Sequence, residues 1–193
     1  MATLAPLAKR LNQIKSFHVM ALLDRAKQLE SQGRDVIHLE VGEPDFPTPD
    51  NVVQAGIRAM NAGQMRYTAP TGLPELKRAI ADFYRARYGV ALDWHRVVVT
   101  PGASGAISLV TALLFNPGDG VLLADPGYPC NDNFLHLLEA IPQRVAVGPD
   151  TEYQLTATQV RQHWQAHTRG AWVASPSNPT GTLLALDELK AIK

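Results

Sequence analysis

Apolar side chains recur at three- and four-residue spacing through Val19, Leu22, Leu23, Ala26 and Leu29, which predicts an amphipathic helix from about Phe17 to Gln32. Ser16 stands where an N-cap belongs and Gly33 where the helix should stop. Val36-Ile37-His38-Leu39 reads as a short strand with His38 packed within it, and Gly42 to Pro49 as a proline-set loop. Thr48 and Pro49 then read as N-cap and first residue of a helix to about Met60. Gly63 to Gly72 is a loop, and Pro74 to about Tyr88 a further amphipathic helix.

From Arg96 the rhythm changes. Short apolar runs at Val97–Val99, Val121–Leu123, Arg144–Val147 and Ala171–Ala174 alternate with helical stretches at Ser104–Phe115, Asn131–Ala140 and Ala157–Gln165. This alternation predicts an α/β fold, a largely parallel sheet flanked by helices, with an amino-terminal helical segment. Leu186 to Lys193 begins one more helix, and the sequence stops inside it, so the sheet is expected to be incomplete.

Composition narrows the function classes. Of 193 residues, 46% are hydrophobic and 19% charged, a globular rather than disordered balance. Basic and acidic side chains number 18 each, so no net field argues for nucleic acid or a membrane surface as partner. The single cysteine, Cys130, has no partner in this sequence for a disulfide or a metal-type spacing. With no signal-like amino terminus and no long apolar run, a cytoplasmic location is expected.

Three segments carry candidate chemistry, each after a predicted strand, where open α/β sheets hold their ligands. In Thr100-Pro101-Gly102-Ala103-Ser104-Gly105 the chain turns from strand to helix, so the first N–H groups near Ala103 and Ser104 converge on a point suited to a phosphate. Tyr128, between Pro126-Gly127 and Pro129, offers a flat ring for stacking. Asn178, held between Pro176 and Pro179, offers an amide to a ring oxygen or a carboxylate. Each has a plainer reading alone: a strand–helix junction, a packed turn tyrosine, an Asn-Pro turn. Their occurrence in order, in one alternating domain, argues against coincidence.

These residues resemble the class I/II aminotransferases of the fold-type I pyridoxal-phosphate enzymes. Gly33 to Leu39 leading to Gly42-Glu43-Pro44-Asp45-Phe46-Pro47-Thr48-Pro49 is similar to that family's opening segment, as is Tyr67-Thr68-Ala69-Pro70-Thr71-Gly72-Leu73-Pro74-Glu75-Leu76-Lys77. The resemblance implies an arm and part of a small domain at residues 1–48, and the first part of the large cofactor-binding domain at 49–193. It implies amino transfer between an amino acid and a 2-oxo acid through pyridoxal 5'-phosphate, in a homodimer. By resemblance Gly102, Ala103 and Ser104 hold the cofactor phosphate, Tyr128 stacks on the ring, and Asn178 donates to the ring's phenolic oxygen and touches the substrate carboxylate. Gly42 leaves room for substrate, and Tyr67 reaches the partner subunit's phosphate.

The family's Schiff-base lysine, its aspartate, tyrosine and arginine all follow the Asn-Pro-Thr-Gly segment, and here a dozen residues follow Gly181. No catalytic residue is therefore assigned: Lys9, Lys15, Lys27 and Lys77 fall on surface or helical segments, and Lys190 and Lys193 in the last helix. Alone, the chain is expected to be inactive, with the Val97–Val99 strand lacking neighbours that the resemblance places in the later half. A non-catalytic remnant or interaction module, and a lyase or synthase of the same fold, are the rival functions. His163 and His167 stand four apart on a predicted helix without a third ligand, so no metal site is assigned.

Overall fold

Val121-Leu122-Leu123-Ala124 is an unbroken apolar run, as a strand covered on both faces requires. In the computed structural model, which describes residues 5–193, this run is the middle of a parallel sheet. The elements in chain order are α1 (His18–Ser31), α2 (Asp50–Asn61), α3 (Pro74–Tyr88), α4 (Gly102–Leu114), β1 (Gly120–Asp125), α5 (Cys130–Leu137), β2 (Ile141–Ala146), α6 (Ala157–His163), β3 (Thr168–Trp172) and α7 (Leu186–Ile192). Among the described residues the strand order is β2-β1-β3, with Gly120 opposite Ile141 on one side and Leu122 opposite Ala171 on the other.

By their contacts the residues fall into two compact units: one formed by the described residues up to His38 with Ile107–Lys193, the other by Leu39–Ala106. In the first unit the faces of β1 bury alternately. Val121 and Leu123 pack with Leu135 and Ala140, flanked by Phe115 and Trp172. Leu122 packs on the opposite face with Val145, Leu155 and Val160. Burying side chains of this size contributes about 1.5–3 kcal/mol each, so this two-sided core fixes where the carboxyl ends of β1 and β3 lie.

In the second unit α3 starts with Pro74 at its first turn and ends on Gly89 in the left-handed conformation (φ 68°). Lys77 is buried on this helix, donating from Nζ to Thr71 Oγ1 at 3.0 Å and lying 5.3 Å from the centre of the Trp94 ring. The partners explain how a lysine tolerates burial here. Asp93 caps the short 3-10 turn Trp94–Arg96, and hydrogen bonds from the His95 backbone and ring hold its carboxyl below the ordinary range.

Several expectations need correction. Neither Val36–Leu39 nor Val97–Val99 joins the sheet. A strand needs a ladder partner, and among the described residues Val99 finds a single backbone bond, from its N–H to Thr71 O at 3.0 Å. His38 is exposed and bonds Glu30 Oε1 at 2.9 Å instead of packing in a strand. Phe17, not Ser16, caps α1, and Pro49, not Thr48, caps α2, neither with a side-chain bond.

Two helices also end early. α5 stops at Leu137 because Glu139 turns left-handed (φ 61°) and the Ala140 N–H closes back on Leu135 O at 3.0 Å. α6 stops at His163, so His167 is not on the helix with it. β2 begins three residues before Arg144 and accommodates Pro142, which an edge strand tolerates.

Candidate functional site

The chain leaves β1 at Asp125 and enters α5 at Cys130 through Pro126-Gly127-Tyr128-Pro129. Gly127 is required by close approach, since a Cβ there would lie 2.5 Å from Ala124 O. This tight turn carries Tyr128 over the carboxyl end of β1. The chain leaves β3 at Trp172 and reaches Asn178 through Ser175-Pro176-Ser177, with Gly181 left-handed (φ 70°) and its N–H bonded to Ser177 O at 2.8 Å. β1 and β3 are neighbours in the sheet although β2 lies between them in sequence. The crevice between their carboxyl ends is a switch point of the kind that receives ligands in open α/β sheets.

Tyr128 and Asn178 line one pocket in this crevice, with Trp172 and Asn131 on its walls. The tyrosine supplies an aromatic face and the asparagine an amide. A hydrogen bond with the Cys130 side chain, followed by burial, pushes the Tyr128 hydroxyl above its ordinary pKa, so the ring carries no charge at neutral pH. Phe17 meets the same ring from outside the pocket.

Two residues that the sequence reading passed over shape this pocket. Arg144 on β2 donates from Nε and Nη2 to Asp132 Oδ2 at 2.9 and 2.7 Å, and from Nη1 to Asp125 Oδ1 at 3.1 Å. Asp125 precedes the Tyr128 turn and Asp132 follows it, so one guanidinium ties both ends. Asp132 raises the pKa of Arg144 further, chiefly by hydrogen bonding. The other Asp132 oxygen, Oδ1, is buried with no hydrogen-bond partner among the described residues. The second overlooked residue, Gln154, stands beneath the Asn178 loop. An arginine in an edge strand and a glutamine after a turn look like solvated surface in sequence. The available signal was the pair of aspartates bracketing Tyr128.

The remaining candidate residues belong to the unit Leu39–Ala106. Gly102 opens α4 in the left-handed conformation (φ 69°), followed by Ala103 and Ser104 in its first turn. Thr100 donates from Oγ1 to Gly102 O at 2.8 Å and fixes this turn. The first N–H groups of an α-helix have no intrahelical acceptor and favour an anion. Gly42 follows a bend at Glu40 and Val41, and among the described residues no heavy atom outside its chain neighbours lies within 4 Å of where a Cβ would stand. Tyr67 is fully exposed beside Met65 and Arg66. Among the described residues no helix is long and apolar enough to cross a membrane.

The profile of aminotransferase class I and II matches residues 34–193, and the chain belongs to that family. It is 38% identical over 191 residues to an aspartate/prephenate aminotransferase of Cereibacter sphaeroides, covering 98% of this chain and 47% of that protein. It is 37% identical over 179 residues to a valine–pyruvate aminotransferase of Mycobacterium tuberculosis, covering 93% and 46%. Among solved structures, an aminotransferase from M. tuberculosis superposes with a TM-score of 0.92 at 35% identity, over 98% of this chain and 48% of that one. The aspartate aminotransferase of Thermus thermophilus with maleate gives 0.91 at 29% identity, over 98% and 50%. The chain spans about half the length of the curated relatives it matches.

Proposed function

We propose that the protein to which these residues belong transfers an amino group between an amino acid and a 2-oxo acid, using pyridoxal 5'-phosphate. The observation that carries this reading is the meeting of Tyr128 and Asn178 in one pocket at the carboxyl ends of β1 and β3, in a chain of the aminotransferase family. The donor set suits this cofactor: a ring for its flat face, an amide for its phenolic oxygen, and a helix start for its phosphate. When bound, the cofactor carries the amino group and spreads the charge that builds on the substrate's α-carbon.

In this reading Tyr128 stacks on the ring and excludes water from one face. Asn178 donates to the phenolic oxygen and orients the substrate carboxylate. Gly102, Ala103 and Ser104 hold the phosphate, Gly42 leaves space for substrate, and Tyr67 serves the partner subunit's phosphate in a homodimer. Residues 1–48 are an arm and part of a small domain, and 49–193 the first part of the large domain. In this reading none of the lysines among residues 1–193 is assigned to hold the cofactor. Two lysines on the helices are already engaged, Lys77 with Thr71 and Trp94, and Lys190 with Asp187 at 3.3 Å. A reducing cytoplasm is the expected setting, consistent with the unpaired Cys130.

Titrating the full-length protein with pyridoxal 5'-phosphate tests the reading. Saturable binding is expected, weakened about tenfold (roughly 1.4 kcal/mol) by Tyr128→Ala and by Asn178→Ala. Valine and aspartate as donors, with pyruvate and prephenate as acceptors, form the first panel, following the relatives' names. A full-length protein that bound no cofactor would sink the proposal.

A further inference from the structure

Gln154 is a buried polar side chain, 5% exposed, in a place where a core would ordinarily put an apolar one. Its amide nitrogen, which has two N–H groups, lies within hydrogen-bond distance of three acceptors, so one N–H is shared: Ala174 O at 3.2 Å, Thr182 O at 2.9 Å and Thr182 Oγ1 at 3.2 Å. Ala174 and Thr182 are the two ends of the loop that carries Asn178. The loop is bonded across itself as well, from Ser177 N–H to Thr182 O at 2.9 Å, and from Leu184 N–H to Ser175 Oγ at 2.9 Å. Gln154 is the one side chain outside the loop among these bonds, and it grips both ends from beneath.

The backbone that delivers Gln154 is unusual in its own right. Glu152 and Tyr153 are consecutive non-glycine residues in the left-handed region, with φ of 51° and 56°. Residues with a side chain avoid that region, and they stay in it only where the surroundings hold them there. Here the Tyr153 N–H bonds Gly148 O at 2.8 Å and the Gln154 N–H bonds Thr151 O at 2.9 Å. The turn thus fixes the direction of Gln154 independently of the loop it holds.

We propose that Gln154 is a positioning residue, which sets the Asn178 amide in the pocket shared with Tyr128 by clamping Ala174 to Thr182. This rests on the reading of that pocket as the cofactor site. Asn178 donates to the cofactor's phenolic oxygen, and donation favours the ionised oxygen. Loss of the clamp therefore raises the pH at which the bound cofactor's absorbance changes, by way of Asn178.

Hydrogen exchange and cofactor spectra on the full-length protein test this. Gln154→Met keeps the side chain's length and removes its donors. Exchange in peptides spanning residues 174–184 should quicken about tenfold, with peptides from β1 unchanged. The absorbance midpoint with pyridoxal 5'-phosphate should move up in pH, and Gln154→Met should add nothing in an Asn178→Ala background. Unchanged exchange in 174–184, or an equal shift in the Asn178→Ala background, overturns the proposal.

Should Gln154→Met fail to fold, Thr182→Val removes one acceptor and leaves the buried amide two. It should loosen the same peptides to a smaller degree, and no loosening overturns the clamp. A wild-type protein without a cofactor spectrum would overturn the functional reading, while the exchange result would still decide whether Gln154 holds the loop.

Discussion

The ring of Phe17 meets the ring of Tyr128 edge to face, with centroids 6.1 Å apart and planes at 75°. The segment leading to Phe17 is held in place by Asn133, whose amide accepts from Lys15 N–H at 3.1 Å and donates to Lys15 O at 2.8 Å. A side chain on α5 thus fixes a stretch of chain more than a hundred residues earlier, and that stretch braces the pocket's aromatic wall. Edge-to-face pairs contribute about 0.5–1.5 kcal/mol beyond their burial. A double-mutant cycle on Phe17→Ala and Tyr128→Ala, read from urea unfolding, should give a coupling in that range. Additive effects would show that the rings do not support one another.

The raised pKa of Tyr128 makes a second prediction. The folded protein binds the phenolic proton more tightly than the unfolded chain does, because of Cys130 first and burial second. The corresponding stability is fully present below the ordinary tyrosine value of 10.0 and is lost as pH rises through the higher folded value. An ultraviolet titration of the wild type minus Tyr128→Phe should show a phenol ionising above the usual pH. Cys130→Ala should move that ionisation down, and an unmoved titration would remove Cys130 as the cause.

Two glycines should answer alanine differently. At Gly72 φ is 102°, and a Cβ would lie 2.6 Å from Val99 Cγ2, so Gly72→Ala carries both strain and overlap. A loss of about 2–4 kcal/mol is expected from the two together. At Gly42 a Cβ meets nothing within 4 Å, and Gly42→Ala should change stability by less than about 0.5 kcal/mol. If substrate passes Gly42, that variant should instead raise KM with an unchanged unfolding midpoint. An unchanged KM would remove Gly42 from the substrate path.

The sequence was legible where local chemistry and tertiary context agreed. Pro74 and Gly89 punctuate α3, so its limits could be read directly, and the apolar run Val121–Leu123 announced the central strand. The turns that carry Tyr128 and Asn178 were legible because prolines and glycines punctuate them. Val36–Leu39 and Val97–Val99 were misread because β-forming residues make a strand only where another strand pairs with them. Lys77 was read as a surface or helical lysine, and it is helical but buried, because its partners Thr71 and Trp94 are brought to it by folding. Arg144 and Gln154 escaped notice for the same reason: their roles lie in which loop ends they join, and spacing along the chain does not record that.

The clamps on the pocket also set an order of events during synthesis. Arg144 follows Asp132 by 12 residues and Asp125 by 19, and the bonds of Gln154 span 20 and 28. All are short reaches along the chain, the kind that close quickly. The Tyr128 turn can be tied as soon as β2 has been made, while the Asn178 loop must wait for Thr182. At elongation rates of roughly 5–20 residues per second, that leaves on the order of 2–7 s in which the aromatic wall stands without its amide. A nascent chain paused in that interval would carry its tied Tyr128 turn before β3 and the Asn178 loop exist to form the other side of the crevice.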